Sequence, residues 1–154
     1  MARRSTKTRC SPTALLVAIA GFTLTLLAGC AGSQLVASRE PLHLTAPERE
    51  HMRAGMRAFL ESVEGITQGV AENNRQAVAR SAKRSGWSMM DATAAATALK
   101  LPPEFVAVSI DTHQKFDDLA AEASSGAPKA KLLQGLGQIL NNCTSCHAAY
   151  RLAP

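Results

Sequence analysis

Aromatic side chains are scarce in this chain: one Trp, one Tyr and four Phe make up 4% of its 154 residues. So few rings leave a thin core for a chain of this size, and the missing apolar surface has to come from another source. Cysteine is sparse too, with only Cys10, Cys30, Cys143 and Cys146. No further Cys/His pair stands at a spacing that would complete a structural zinc site around the last two. The longest apolar run, Ala14 to Ala28, is too short for a comfortable membrane span, which takes about 20 residues. Paired carboxylates and a nucleophile with its base cannot be picked out either, so enzymatic turnover has no foothold and the expectation is a protein that is not an enzyme.

Acid is absent from residues 2–9, which carry Arg3, Arg4, Lys7 and Arg9 ahead of the apolar run. A basic segment followed by a short apolar one reads as a bacterial secretory signal, residues 1–29. The run closes on Leu27-Ala28-Gly29-Cys30, which resembles the lipobox of bacterial lipoproteins. Cys30 is then the lipidated first residue of the mature chain, and the protein is exported and anchored at the periplasmic face. Ala31 in place of an Asp after that Cys favours the outer membrane over the inner one. Removing the signal leaves 13 basic residues against 12 acidic ones, a formal charge of +1, so the apparent basicity of the whole chain belongs to targeting and predicts no nucleic acid partner. Residues 30–44 show neither the helical nor the strand period and contain Gly32, Ser33, Ser38 and Pro41. They read as a tether, with the folded domain at 45–154.

Against this background Cys143-Thr144-Ser145-Cys146-His147 stands out, because C-x-x-C-H is the spacing at which haem is covalently attached. The two thiols add across the haem vinyl groups as thioethers, and the adjacent imidazole becomes an axial ligand of the iron. A thioredoxin-like pair would open a helix after a strand, whereas this motif ends a long helical pattern. A simple disulfide would leave His147 unexplained. With Cys10 in the signal and Cys30 lipidated, no thiol remains for a disulfide to either motif cysteine.

The rest of the domain reads as helices. Thr45 and Glu48 make a capping box, Pro47 suits a first turn, and Met52, Met56, Phe59, Leu60, Val63, Ile66 and Val70 recur at threes and fours, predicting a helix over about 45–72. Asn73-Asn74 caps a short second helix ending near Ser85, with only Ala77, Val78 and Ala82 on its apolar face. Residues 86–103 are less regular, with some helix in an Ala/Thr-rich stretch before Pro102-Pro103. A third long helix spans about 103–125, carrying Phe105, Thr112, His113, Phe116, Leu119 and Ala123 on one face. Gly126 and Pro128 separate it from a fourth, whose stripe is Leu132, Leu133, Leu136, Ile139, Leu140, Cys143, His147 and Tyr150. The predicted fold is all-α, a four-helix up-down-up-down bundle holding one covalently attached haem c.

The terminal run Cys143-Thr-Ser-Cys146-His147-Ala-Ala-Tyr150-Arg151 resembles the C-x-x-C-H-x-x-Y-[RK] signature of the cytochrome c′ family, the class II c-type cytochromes. The resemblance implies thioethers at Cys143 and Cys146, His147 as proximal ligand, Tyr150 within the signature, and Arg151 as a basic group one turn beyond His147 near the proximal face. It also implies that a residue of the first helix covers the distal face. Met56 falls at that position, with Met52 one turn earlier and His113 as a competitor from the third helix. A Met ligand gives low-spin haem suited to electron transfer with an unidentified periplasmic or membrane redox partner. An apolar cover leaves iron five-coordinate and suited to nitric oxide or carbon monoxide. A homodimer through the first two helices is compatible with the same resemblance, and a haem-free helical scaffold is the reading that the terminal run argues against.

Overall fold

Helix formation begins where the sequence places its cap. In the computed structural model, which describes residues 39–154, α1 runs Ala46–Ala71 with Thr45 as N-cap and Pro47 in the first turn. The Glu48 carboxylate accepts from the Thr45 N–H at 2.9 Å and from its hydroxyl at 2.8 Å, satisfying one of the donors that a helix start leaves orphaned. Expectations that concern residues 1–38, Cys30 among them, lie outside the described residues.

Asn73, with φ 57°, reverses the chain, and Asn74 caps α2 (Arg75–Arg84) by accepting from the Ala77 N–H at 3.0 Å. The irregular stretch resolves into a 3₁₀ turn, Trp87–Met89, and a short α3, Ala92–Ala98, capped by Asp91. Pro102 and Pro128 precede the two remaining helices, α4 (Pro103–Ser124) and α5 (Lys129–Ala149), with Gly126 at φ 86° between them. The chain is thus mostly helical, as the periodicity predicts, and the local stop and start signals explain why the helix ends fall where they do.

Contacts show how the long helices run. Ser85 donates its hydroxyl to Ser62 at 2.8 Å while Gly69 faces Val78, so α1 and α2 are antiparallel. Lys83 reaches Asp117 at 2.7 Å, and Ser85 meets His113, which sets α4 antiparallel to α2. Lys131 with Glu122 at 3.2 Å, and Asn142 with Thr112 at 3.1 Å, do the same for α5 against α4. The thin apolar face of α2 packs because α1 offers glycines to it. A Cβ on Gly69 would stand 2.9 Å from both the Val78 backbone nitrogen and its Cγ2, and one on Gly65 would stand 2.4 Å from the Ser81 hydroxyl.

The core is confined to one part of this arrangement. Ile66, Val70, Val78, Ala82, Phe116, Leu119, Ala123, Leu132, Leu136 and Ile139 form a single buried cluster, with Phe59 stacked on Phe116 at 5.5 Å. Toward the other ends of α1 and α5 the predicted stripes emerge from cover. Leu60 is 69% exposed, and Met56, Leu140 and His147 are exposed.

Two boundaries differ from the sequence expectation. Residues 39–44, read as the end of a tether, belong to the fold: β1 (Glu40–Leu42) pairs in parallel with β2 (Tyr150–Leu152), and Leu42 and Leu44 are buried. Three-residue strands are too short to show a period, and these two pair across nearly the whole domain. Helix α5 accordingly stops at Ala149, so Tyr150 and Arg151 are extended rather than helical.

Two predictions follow from the packing and capping. Gly69→Ala is expected to lower stability by about 1–3 kcal/mol through overpacking against Val78, despite the better helix propensity of Ala. Gly137→Ala, on α5 where a Cβ meets nothing within 4 Å, is expected to raise stability by about 0.5–1 kcal/mol; urea unfolding midpoints of the two variants should therefore move in opposite directions. Glu48 supplies the second. Its carboxyl is lowered from 4.5 to about 2, chiefly by the Lys100 ammonium that hydrogen-bonds it and then by the Thr45 N–H and hydroxyl. A depressed carboxyl stabilises the fold above its unfolded value and loses that contribution on acidification. The melting temperatures of wild type and Glu48→Gln should therefore converge as pH falls from 4.5 towards 2 and stay apart above that range.

Candidate functional site

The last turns of α5 carry Cys143, Cys146 and His147, and Asn142 pins them to α4. Its side-chain nitrogen donates to Asp111 at 2.7 Å and to the Thr112 hydroxyl at 3.1 Å, and its oxygen accepts from Lys115 at 3.3 Å. Lys115 also bonds Asp111, and that ammonium, followed by Asn142, holds the Asp111 carboxyl below its ordinary range. This network fixes the rotation of α5 immediately before the motif.

Cys143 and Cys146 are free thiols, half-buried, one helical turn apart. Burial pushes both upward from the usual thiol value. They lie near the C-terminus of a helix, whose dipole opposes a thiolate, so the pair lacks the electropositive helix start of a thioredoxin-like site. Among the described residues no group of three or more His, Cys, Asp or Glu side chains could hold a metal ion, which leaves the zinc reading without a ligand set there.

Beside the motif is an open, mostly apolar cleft lined by Met56, Phe59, Leu60 and Val63 of α1, Phe105, Val108, Ser109 and Thr112 of α4, and Leu140, Asn142, Cys143, Cys146 and His147 of α5. A second hollow adjoins it towards the strands and is lined by Arg39, Leu42, Met52, Arg53, Met56, Phe105, Cys146, His147, Tyr150, Arg151 and Leu152. A third lies between α1, α4 and the Trp87–Ala98 excursion. Met56 and Phe105 wall all three.

The sequence-predicted residues distribute unevenly over this space. Met56 shares the apolar cleft with both cysteines and His147, while Met52 meets Cys146 and His147 only in the second hollow. His113 lies apart from the motif on the third hollow. It is buried, its Nδ1 donates to the Ser85 carbonyl at 2.8 Å, and its ring packs on Phe59 at 5.2 Å, which accounts for it as a core histidine. Tyr150 packs edge-on against Phe105 at 5.3 Å. Arg151 reaches the His147 side of the site through the strand, not through the helical turn expected of it.

Arg39 escaped sequence reading. Its Nη1 donates to the His147 carbonyl at 2.9 Å, capping the end of α5 from a residue 108 positions away, and no local pattern announces such a partner. The Nε atoms of Arg39 and Arg151 are both buried without a hydrogen-bond partner. A covalently attached haem fits these residues on three counts: apolar walls for the macrocycle, two thiols and an imidazole on one rim, and cationic donors at the edge. Comparison with protein families, with curated proteins and with solved structures returns no match.

Because Asn142 leaves polar partners behind when it is removed, Asn142→Ala is expected to destabilise the fold by about 1–3 kcal/mol. Thermal unfolding should report the loss, and it should exceed that of Asn141→Ala on the exposed side of the same turn.

Proposed function

We propose that the protein is a membrane-anchored electron carrier of the cytochrome c′ type: a four-helix bundle with one haem c, held by thioethers at Cys143 and Cys146 and ligated by His147. The observation that carries this reading is the placement of all three motif side chains, with Met56, on a single apolar cleft that the protein's own core leaves uncovered. When bound, the haem supplies one-electron chemistry between ferric and ferrous iron.

The chain's residues do the rest. Asn142, through Asp111 and Thr112, sets the rotation that turns both thiols and the imidazole to one side. Phe59, Val63, Phe105 and Val108 give the cleft apolar walls that would keep water from a bound haem and raise the weight of every charge near it. Met56, unbranched and long, would offer a thioether from the facing helix to hold the iron, with Met52 as the alternative. Anchoring through Cys30 would confine this site near a periplasmic membrane surface, where redox partners reside. Residues 31–38, between Cys30 and the first described residue, could span at most about 30 Å at ~3.3–3.6 Å each.

A second reading, a five-coordinate haem that binds nitric oxide or carbon monoxide, draws on the Phe59, Leu60 and Val63 side chains that flank Met56 on the same wall. With any of them there in place of Met56, no protein side chain would hold the iron from that side.

The distinguishing experiment is the visible spectrum of the protein matured in a bacterial periplasm, ferric and ferrous, with and without carbon monoxide. The expected spectrum is low-spin, insensitive to carbon monoxide, with the far-red band of sulfur on ferric iron. Met56→Leu should convert it to high-spin; conversion by Met52→Leu instead would reassign the ligand. A wild-type spectrum already high-spin and shifted by carbon monoxide would establish the second reading, and absence of a Soret band would refute both.

A further inference from the structure

We propose that the hollow between α1, α4 and the Trp87–Ala98 excursion is a copper(I) site, held by the thioethers of Met52, Met89 and Met90 with His113 at its buried end. The site is separate from the haem centre proposed above and does not depend on it.

Thioether sulfur is segregated in this fold. Met52, Met56, Met89 and Met90 are the methionines of residues 39–154, and all four line this one hollow. The core around Phe116 contains no methionine, although filling irregular core gaps is what the side chain ordinarily does.

A close approach brings the two sources of thioether together. Met52 and Met56 stand one turn apart on α1, with Gly55 on the same face. A Cβ on Gly55 would come within 3.3 Å of the Met89 Cε, so the bare backbone there lets the 3₁₀ turn lay its thioether against the helix. That turn is itself pinned. The Trp87 N–H donates to the Asp117 carboxylate at 3.0 Å, the Ser88 hydroxyl to the Lys83 carbonyl at 3.0 Å, and the Met89 and Met90 N–H groups to the Gly86 and Trp87 carbonyls. Met52, Met89 and Met90 are half-buried, neither sealed in the core nor free in solvent.

His113 adds an imidazole with a fixed tautomer. Its Nδ1 donates to the Ser85 carbonyl, so Nε2 keeps its lone pair, and among the described residues no hydrogen bond engages it. A ring N–H tied to a backbone carbonyl is the arrangement that orients a metal-ligating histidine.

The donor set selects the ion. Thioethers are soft and uncharged, which suits copper(I) and offers little to calcium, magnesium or manganese, which take oxygen ligands. Glu48, the carboxylate on this hollow, is already bonded to Lys100 and Thr45. Mostly apolar surroundings also favour the smaller charge of a monovalent ion. Met56 remains for the neighbouring cleft that it also lines.

The test is an anaerobic titration of the full chain, matured in a bacterial periplasm, against the copper(I) complex of bicinchoninate. Wild type is compared with the Met89→Leu/Met90→Leu double variant and with Met52→Leu. Leucine nearly conserves volume and removes the sulfur, so the fold should persist, which a thermal melt checks. Wild type should withdraw one copper(I) per chain and show sulfur neighbours at the copper X-ray absorption edge, and each variant should bind at least about tenfold more weakly. A covalent haem would engage both motif sulfurs. Where the matured protein carries none, the same titration on Cys143→Ser/Cys146→Ser reads the hollow alone, so loss of the haem reading leaves the copper site measured. Should the double methionine variant fail to fold, Met52→Leu decides by the same criterion. Failure of wild type to withdraw copper(I), or withdrawal undiminished in the methionine variants, would overturn the site.

Discussion

The rest of the structure depends on where apolar contact is and is not completed by the chain. The antiparallel approach of α1 and α2, close enough to require Gly65 and Gly69, gathers the buried side chains into one cluster around Phe116. From Met56 to the start of α1, and from Leu140 onward in α5, the helices continue without side chains large or numerous enough to close the space between them. Exposed apolar wall of this kind is unfavourable in water by roughly 25 cal/mol for each Å² that a partner could cover. A chain with 4% aromatic residues sets Phe59, Trp87, Phe105 and Tyr150 along the walls of this space and still leaves it open. A flat apolar cofactor covalently fixed at the cleft would complete the half of the core that the sequence leaves unbuilt.

Three separate attachments hold the motif at the edge of that space. Asn142 ties α5 to α4 through a buried polar network, Tyr150 lays its ring against Phe105, and the Arg39 guanidinium caps the helix at His147 while β1 pairs with β2. Two of the three follow from ending the helix at Ala149 and continuing as strand. A helix carried on through Tyr150 and Arg151 could not pair with residues 40–42, because its backbone donors would be used within itself. The strand therefore converts the chain's two ends into one rim.

Legibility in the sequence tracked the range of the determining interaction. The Thr45–Glu48 cap, the Asn74 cap, and the Pro and Gly punctuation at 102–103 and 126–128 act within a few residues, and the helices begin and end beside them. What escaped was set by pairing across the domain: a strand of three residues mistaken for tether, a guanidinium 108 positions from its carbonyl partner, and the extended path of Arg151. The periodic stripes misled in one respect. Leu60, Leu140 and His147 share a helical face with buried residues, yet periodicity cannot report that the facing helix has no side chain there to cover them.

That same geometry constrains how the proposed site would choose between carrying electrons and binding a gas. Helix α1 is held at its start by Glu48, bonded to both Thr45 and Lys100, and farther along by the close contacts of Gly65 and Gly69 with α2. Met56 lies between these fixed stretches, so its backbone has little freedom to approach or leave the cleft. Its side chain has three rotatable bonds and borders all three hollows. Occupancy of the sixth position would then be a rotamer choice of one thioether rather than a movement of a helix. An exogenous ligand competing for that position would have to displace only the side chain, into the space walled by Trp87, Met89 and His113. Electron transfer would leave the framework unmoved, because every group that positions His147 lies on α4, α5 and the strand pair and none on Met56.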